Sequence, residues 1–150
     1  MFEVNYFGAV AMTQRFLPLL RASRGRIINI SSILGVLSRG ADSAYSSSKF
    51  ALEGFSDALR KELAPLGVAV VLVNPGVVRT KIQGKIVGSV NGLDHADEWT
   101  SLYGRYIEGV EQRFARAVAR GDSTDVTSQA IMDAAFAPKP QVEIPVPYLL

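Results

Sequence analysis

The run Val68-Ala69-Val70-Val71-Leu72-Val73-Asn74 is apolar at consecutive positions with no alternation. A strand with one wet face would alternate, so this pattern predicts a parallel strand covered on both faces. A second run, Arg26-Ile27-Ile28-Asn29-Ile30-Ser31, is short, β-branched and bounded by Gly25 and Ser32, and it too predicts a buried strand. Strands of this kind need helices above and below. Residues 2–22 carry Phe2, Val4, Phe7, Val10, Ala11, Phe16, Leu17, Leu19 and Leu20 nearly all round, which predicts a helix buried on more than one side. Residues 43–64 place Leu52, Phe55, Leu59 and Leu63 three or four apart, and Pro65 and Gly67 then end that helix.

Further along, Gly84, Gly88 and Gly92 break residues 81–95 into a loop, long enough to expect a functional or mobile role. Helical spacing returns over 97–120 through Leu102, Tyr106, Val110, Phe114 and Val118, and a shorter helix is expected over 126–136. The segment 141–147 reads as an edge strand, because Pro140, Pro145 and Pro147 interrupt it. The order helix, strand, helix, strand, helix, helix, strand predicts an open α/β layer with right-handed crossovers. Ligands in such sheets lie beyond the carboxyl ends of the strands, here Ser31-Ser32 and Asn74-Pro75-Gly76.

Composition narrows the function classes. At 150 residues, 48% apolar and 20% charged, the chain fits one soluble globular domain. Its formal charge of +2 comes from scattered basic residues, which argues against nucleic acid or an anionic membrane as partner. The absence of Cys excludes a thiolate nucleophile and a disulfide framework, and the single His excludes a His-rich metal site, so no metal is expected. No apolar stretch has the length of a transmembrane helix, and Met1-Phe2-Glu3-Val4-Asn5 has neither a basic n-region nor an h-region. A cytoplasmic location is expected.

On the helix from Ser43, Tyr45, Lys49, Leu52, Ser56, Leu59 and Leu63 fall in a narrow arc at about 100° per residue. A phenol titrates near 10 unaided, and a neighbouring ammonium favours its ionised form, so Tyr45 is a candidate general acid/base. A core tyrosine with a lysine snorkelling to water would give the same spacing. The surroundings favour chemistry: Ser32 at one strand end, Pro75-Gly76 at the next, where Gly permits close backbone approach, and Thr80 with a hydroxyl beyond. Asn5 stands on an otherwise apolar helix surface and needs a polar partner, which a water chain could supply.

Together Asn5, Ser32, Tyr45-Ser46-Ser47-Ser48-Lys49 and Asn74-Pro75-Gly76-Val77-Val78-Arg79-Thr80 resemble the short-chain dehydrogenase/reductase family, in residue types and in spacing. The resemblance covers residues 1 to about 80, and Asn29-Ile30-Ser31-Ser32 with Ser48-Lys49-Phe50-Ala51-Leu52-Glu53-Gly54 is most similar to the retinol and hydroxysteroid dehydrogenase-like branch. It implies one partial Rossmann-type, doubly wound parallel sheet in three α/β/α layers over 1–150, lacking the first strands, with a substrate lid over 81–120. It also implies NAD or NADP as cofactor and a small-molecule alcohol or ketone as substrate. The implied catalytic set is Asn5, Ser32, Tyr45 and Lys49. Tyr45 would exchange the substrate proton, Ser32 hold the substrate oxygen, Lys49 bind the nicotinamide ribose and lower the Tyr45 pKa, and Asn5 hold a water leading to Lys49. The implied cofactor contacts are Tyr45, Lys49, Pro75, Gly76, Val78 and Thr80. Homo-oligomerisation is implied through the helices over 2–22 and 43–64.

The chain departs from the family pattern at the phosphate cradle. No two of its glycines stand two apart, so it holds no Thr-Gly-x-x-x-Gly-x-Gly turn, and no residue that would choose NAD over NADP is visible. The abrupt start at Met1 is expected to be a cut edge, with the first strands missing. Elsewhere, His95 between Asp94 and Ala96 is expected in a solvated loop, Asp97-Glu98 at a helix N-terminus, and Arg113, Arg116 and Arg120 on a solvated flank. Two expectations follow: an NAD(P)-dependent oxidoreductase for a lipophilic secondary alcohol or ketone, given lid residues Ile82, Ile86, Val87, Leu93, Trp99, Leu102 and Tyr103; or an inactive fragment serving as a dimerising module. The Tyr-x-x-x-Lys pair also occurs in nucleotide-sugar epimerases and dehydratases, a branch that Pro75-Gly76 and the short length disfavour.

Overall fold

The structure, a computed structural model, describes residues 1–80 and 96–146. A π-helical turn, Glu3–Phe7, leads into α1 (Gly8–Ser23), which closes on Arg24 in the left-handed region. β1 (Arg26–Ile30) follows, then a single 3-10 turn, Ile33–Gly35, and α2 (Ser43–Leu63). A second 3-10 turn, Ala64–Leu66, delivers β2 (Ala69–Asn74). Past the undescribed stretch come α3 (Ala96–Arg120), α4 (Thr124–Phe136) and β3 (Glu143–Pro145).

The described strands form one parallel sheet in the order β1-β2-β3. Ile28 registers with Val71, and Val73 with Ile144. β2 is therefore the middle strand and β3 lies beside it, where a proline-interrupted strand was expected. The segments predicted over 26–31, 43–64, 97–120, 126–136 and 141–147 all form, with ends shifted by a few residues.

Successive side chains of β2 enter different cores. Val70 joins Ile27, Leu59, Leu63 and Val68, against which Leu17, Leu20 and Phe55 pack. Val71 and Val73 join Ala130, Ala134 and Val146 on the other face, with Ile28, Ile131 and Ile144. Helices α1 and α2 thus cover one face and α4 the other, the three layers that an unalternating strand requires. Side chains lock the layers at their edges: Arg26 Nη1 donates to Ala134 O at 3.0 Å, and Arg60 Nε to Val70 O at 3.1 Å. Inside the first core a polar chain is satisfied internally, with Asn29 Nδ2 donating to Ser56 Oγ (2.8 Å) and Ser56 Oγ to Leu52 O (2.7 Å).

The first helix corrects one expectation. Its apolar residues were expected to be covered on more than one side, yet Val4 is 80% exposed, Leu19 66%, Phe7 51% and Phe16 48%. Only the face carrying Leu17, Leu20 and the ring of Tyr6, which meets Phe55 edge-on at 5.9 Å, finds neighbours. Among the described residues nothing covers the rest.

The expected loop over 81–95, with His95 and the lid residues Ile82, Ile86, Val87 and Leu93, lies outside the described residues. Of the other lid residues, Leu102 and Tyr103 are largely exposed. Asp97 and Glu98 occupy the first turn of α3, where carboxylates suit the helix dipole, and Arg113, Arg116 and Arg120 are exposed, as a solvated flank requires.

Candidate active site

The stripe read on the second helix is real. Leu52, Ser56, Leu59 and Leu63 are buried along α2, and Tyr45 and Lys49 continue the same line where the helix emerges at the strand ends, each half-buried. Lys49 Nζ donates to Ile30 O at 2.8 Å, pinning α2 to the last residue of β1 two positions before Ser32. It also lies 5.8 Å from the centre of the Tyr45 ring. Burial lowers the Lys49 pKa from its ordinary value, and the Glu53 carboxylate, one turn further on, works in the opposite direction.

Ser32 is buried and caps the 3-10 turn after β1, its Oγ accepting from Leu34 N at 3.1 Å. A serine hydroxyl that accepts from the backbone keeps its own proton to donate. Two backbone bonds tie this strand end to its neighbour: Ser31 N donates to Val73 O at 2.8 Å and Ile33 N to Pro75 O at 3.0 Å. Ser32 and Pro75-Gly76 are therefore fixed side by side.

Asn5 sits in the π-helical turn, half-buried, and its partner is a side chain. Asn5 Nδ2 donates to Ser48 Oγ at 3.0 Å, and Ser48 Oγ donates to Tyr45 O at 2.7 Å. The amide is thus joined to the turn of α2 that carries both Tyr45 and Lys49. π-turns recur at functional positions because the extra residue re-aims a side chain.

The segment after β2 is held from a distance that the sequence did not suggest. Val78 forms a parallel bridge with Asp122; Arg79 N donates to Asp122 O and Asp122 N to Val77 O, each at 3.0 Å. Gly121 makes this approach possible, since a Cβ there would stand 2.6 Å from Val77 O. Val78 and Thr80, the expected carboxamide contacts, lie on this anchored segment, with the Thr80 residue exposed.

Three groups escaped the sequence reading: Ser48, Glu53 and the Gly121-Asp122 pair. The spacing of Ser48 and Glu53 on α2 was visible, but which face each joins depends on the first helix and on β2.

Comparison with known proteins identifies the family. The family model described as short chain dehydrogenase matches residues 1–91, and the chain belongs to that family. The chain is 54% identical over 74 residues to mitochondrial D-beta-hydroxybutyrate dehydrogenase of Mus musculus, covering 49% of this chain and 22% of that protein. It is 37% identical over 145 residues to the NADPH-dependent 3-dehydrocapnine reductase of Ornithobacterium rhinotracheale, covering 93% of this chain and 50% of that one. A short chain dehydrogenase from Burkholderia cenocepacia, solved in complex with NADP, superposes with a TM-score of 0.68 at 25% identity, covering 97% of this chain and 48% of that one. The chain thus spans half or less of the length of these relatives. No helix among the described residues is long and apolar enough to cross a membrane.

Proposed function

We propose that the chain carries the catalytic half of an NAD(P)-dependent oxidoreductase that interconverts a lipophilic secondary alcohol and a ketone. The observation that carries this is the half-buried Tyr45–Lys49 pair, with Lys49 bonded to the end of β1 beside Ser32. Family membership and the NADP-bound structural neighbour support nicotinamide chemistry.

The residues present fit the nicotinamide-ribose part of such a cofactor. Lys49 offers a partly desolvated ammonium with further N–H donors, and the anchored Pro75–Val78 segment offers backbone at the strand end. When bound, the nicotinamide supplies or accepts the hydride. The protein's part is the proton and the orientation. Ser32 Oγ, already accepting from Leu34 N, donates its proton to the substrate oxygen. Tyr45 Oη exchanges a proton with that same oxygen, with the Lys49 ammonium one turn away on the same helix face. Asn5, through Ser48, steadies the backbone at Tyr45.

The experiment is NAD(P)H turnover with a panel of hydrophobic ketones, comparing the chain with Tyr45→Phe. Loss of the general acid should lower turnover by about 10²- to 10⁴-fold while the circular dichroism spectrum is kept. Full activity in Tyr45→Phe would sink the proposal.

A second reading has its own observation, the uncovered apolar surface of Phe2, Val4, Phe7, Met12, Phe16 and Leu19. In it the chain is an inactive, dimerising module. Titration with NADH and NADPH, followed by nicotinamide fluorescence, separates the two: binding at micromolar concentration favours the enzyme.

A further inference from the structure

Behind the Tyr45–Lys49 face lies a carboxyl that this chemistry does not use. Glu53 stands one turn after Lys49, and its Oε1 is buried. Gly35, in the turn that Ser32 caps, backs directly onto it: a Cβ there would lie 3.1 Å from Glu53 Cγ and Oε1 and 2.7 Å from Ser31 Oγ. Glu53 Oε1, Ser31 Oγ and Asn74 Oδ1 are all buried without a hydrogen-bond partner. The Asn74 amide nitrogen is already engaged, donating to Glu143 Oε1 at 2.8 Å.

Proton counting makes this grouping informative. An ionised carboxylate and an amide oxygen are both acceptors, and the Ser31 hydroxyl has one proton for the two of them. Buried acceptors left unpaired are costly. Among the described residues the neighbouring cations are directed elsewhere. Lys49 Nζ is bonded to Ile30 O, and Arg60 is engaged with Val70 O, Val142 O and Asp57. Among the described residues no ion pair takes up Glu53.

We propose that Glu53 is a positioning residue: as a neutral carboxylic acid it donates to Asn74 Oδ1 and accepts from the Ser31 hydroxyl, clasping the ends of β1 and β2 to α2. The clasp holds Ser32 and Pro75-Gly76, each one position beyond a clasped residue, against the helix that carries Tyr45 and Lys49. The surroundings on balance favour a held proton, with burial the largest influence. Burial pushes the Glu53 carboxyl above the ordinary carboxylate range; Ser31 and Asn74 counter this, the Glu143 charge adds to it, and Arg60 opposes it. The consequence for catalysis rests on the oxidoreductase reading, whereas the protonation state does not.

The test uses the full chain with 13C-labelled Glu, following the Glu53 carboxyl by NMR against pH. The Glu53 carboxyl is expected to titrate above free glutamate. In turnover, Glu53→Gln keeps a donor to Asn74 and should stay within about threefold of wild type, while Glu53→Ala loses about tenfold or more. A Glu53 midpoint in the ordinary carboxylate range would overturn the proposal. A chain with no turnover at all would overturn the oxidoreductase reading and leave the NMR titration to decide this one.

Discussion

A hydroxyl that passes its hydrogen bond on is doing two jobs, and Ser56 is such a residue. It accepts from Asn29 and donates to Leu52 O in a fully buried setting. Ser56→Ala leaves the Asn29 amide without its acceptor, and a loss of about 1–3 kcal/mol by urea denaturation is expected. Titration sets a second prediction at this scale. The Glu53 pKa is raised, so the folded state holds its proton where the unfolded state has lost it, and stability falls as pH rises through the Glu53 value. The Lys49 pKa is lowered, so the unfolded state holds more protons above that value, and stability recovers as pH rises toward the ordinary lysine range. The urea midpoint should therefore pass through a minimum between the two. Glu53→Gln should remove its acid-side descent and Lys49→Met its alkaline rise; a flat profile in wild type would contradict both shifts.

The elements were the most legible part of the chain, for reasons that differ between them. The unbroken apolar run of β2 and the Leu52-Leu59-Leu63 stripe of α2 encode burial directly, so strand and helix followed. Tyr45 and Lys49 were legible because they extend that stripe. The π-turn was not, because nothing in Glu3–Phe7 distinguishes it from ordinary helix; its geometry accompanies the bond of Asn5 to Ser48, 43 residues away. Nothing local marks Glu53, whose surroundings come from the turn that ends in Gly35 and from the ends of β1 and β2. The Val78–Asp122 bridge joins two segments with no local pattern in common. It also yields a sharp prediction. A methyl group at Gly121 meets the backbone oxygens of Val77 (2.6 Å) and Val118 (3.2 Å), neither of which can swing aside like a side chain. Gly121→Ala should cost about 1–3 kcal/mol and speed hydrogen exchange at the Arg79 and Asp122 amides. Unchanged exchange there would show that the bridge tolerates the wider approach.

For the molecule as a whole, the uncovered side of the first helix is the largest open question of packing. Exposed Phe7, Phe16 and Leu19 lie on one helix, and apolar surface of this kind marks association. We expect the molar mass by light scattering to rise with concentration, and Phe7→Ser with Phe16→Ser to hold it at that of one chain. A single-chain mass at every concentration in the wild type would remove the dimeric reading. The two cores also differ in how much chain must exist before they can form. The first draws on residues from Leu17 to Val70, the second on Ile28 through Val146. On a ribosome, the layer that holds Lys49 against β1 has all its parts while α4 and β3 are still unmade, and contacts of short sequence separation form faster than those of long. The face bearing Ile28, Val71 and Val73 then waits, uncovered and adhesive, for α4 and β3 to arrive.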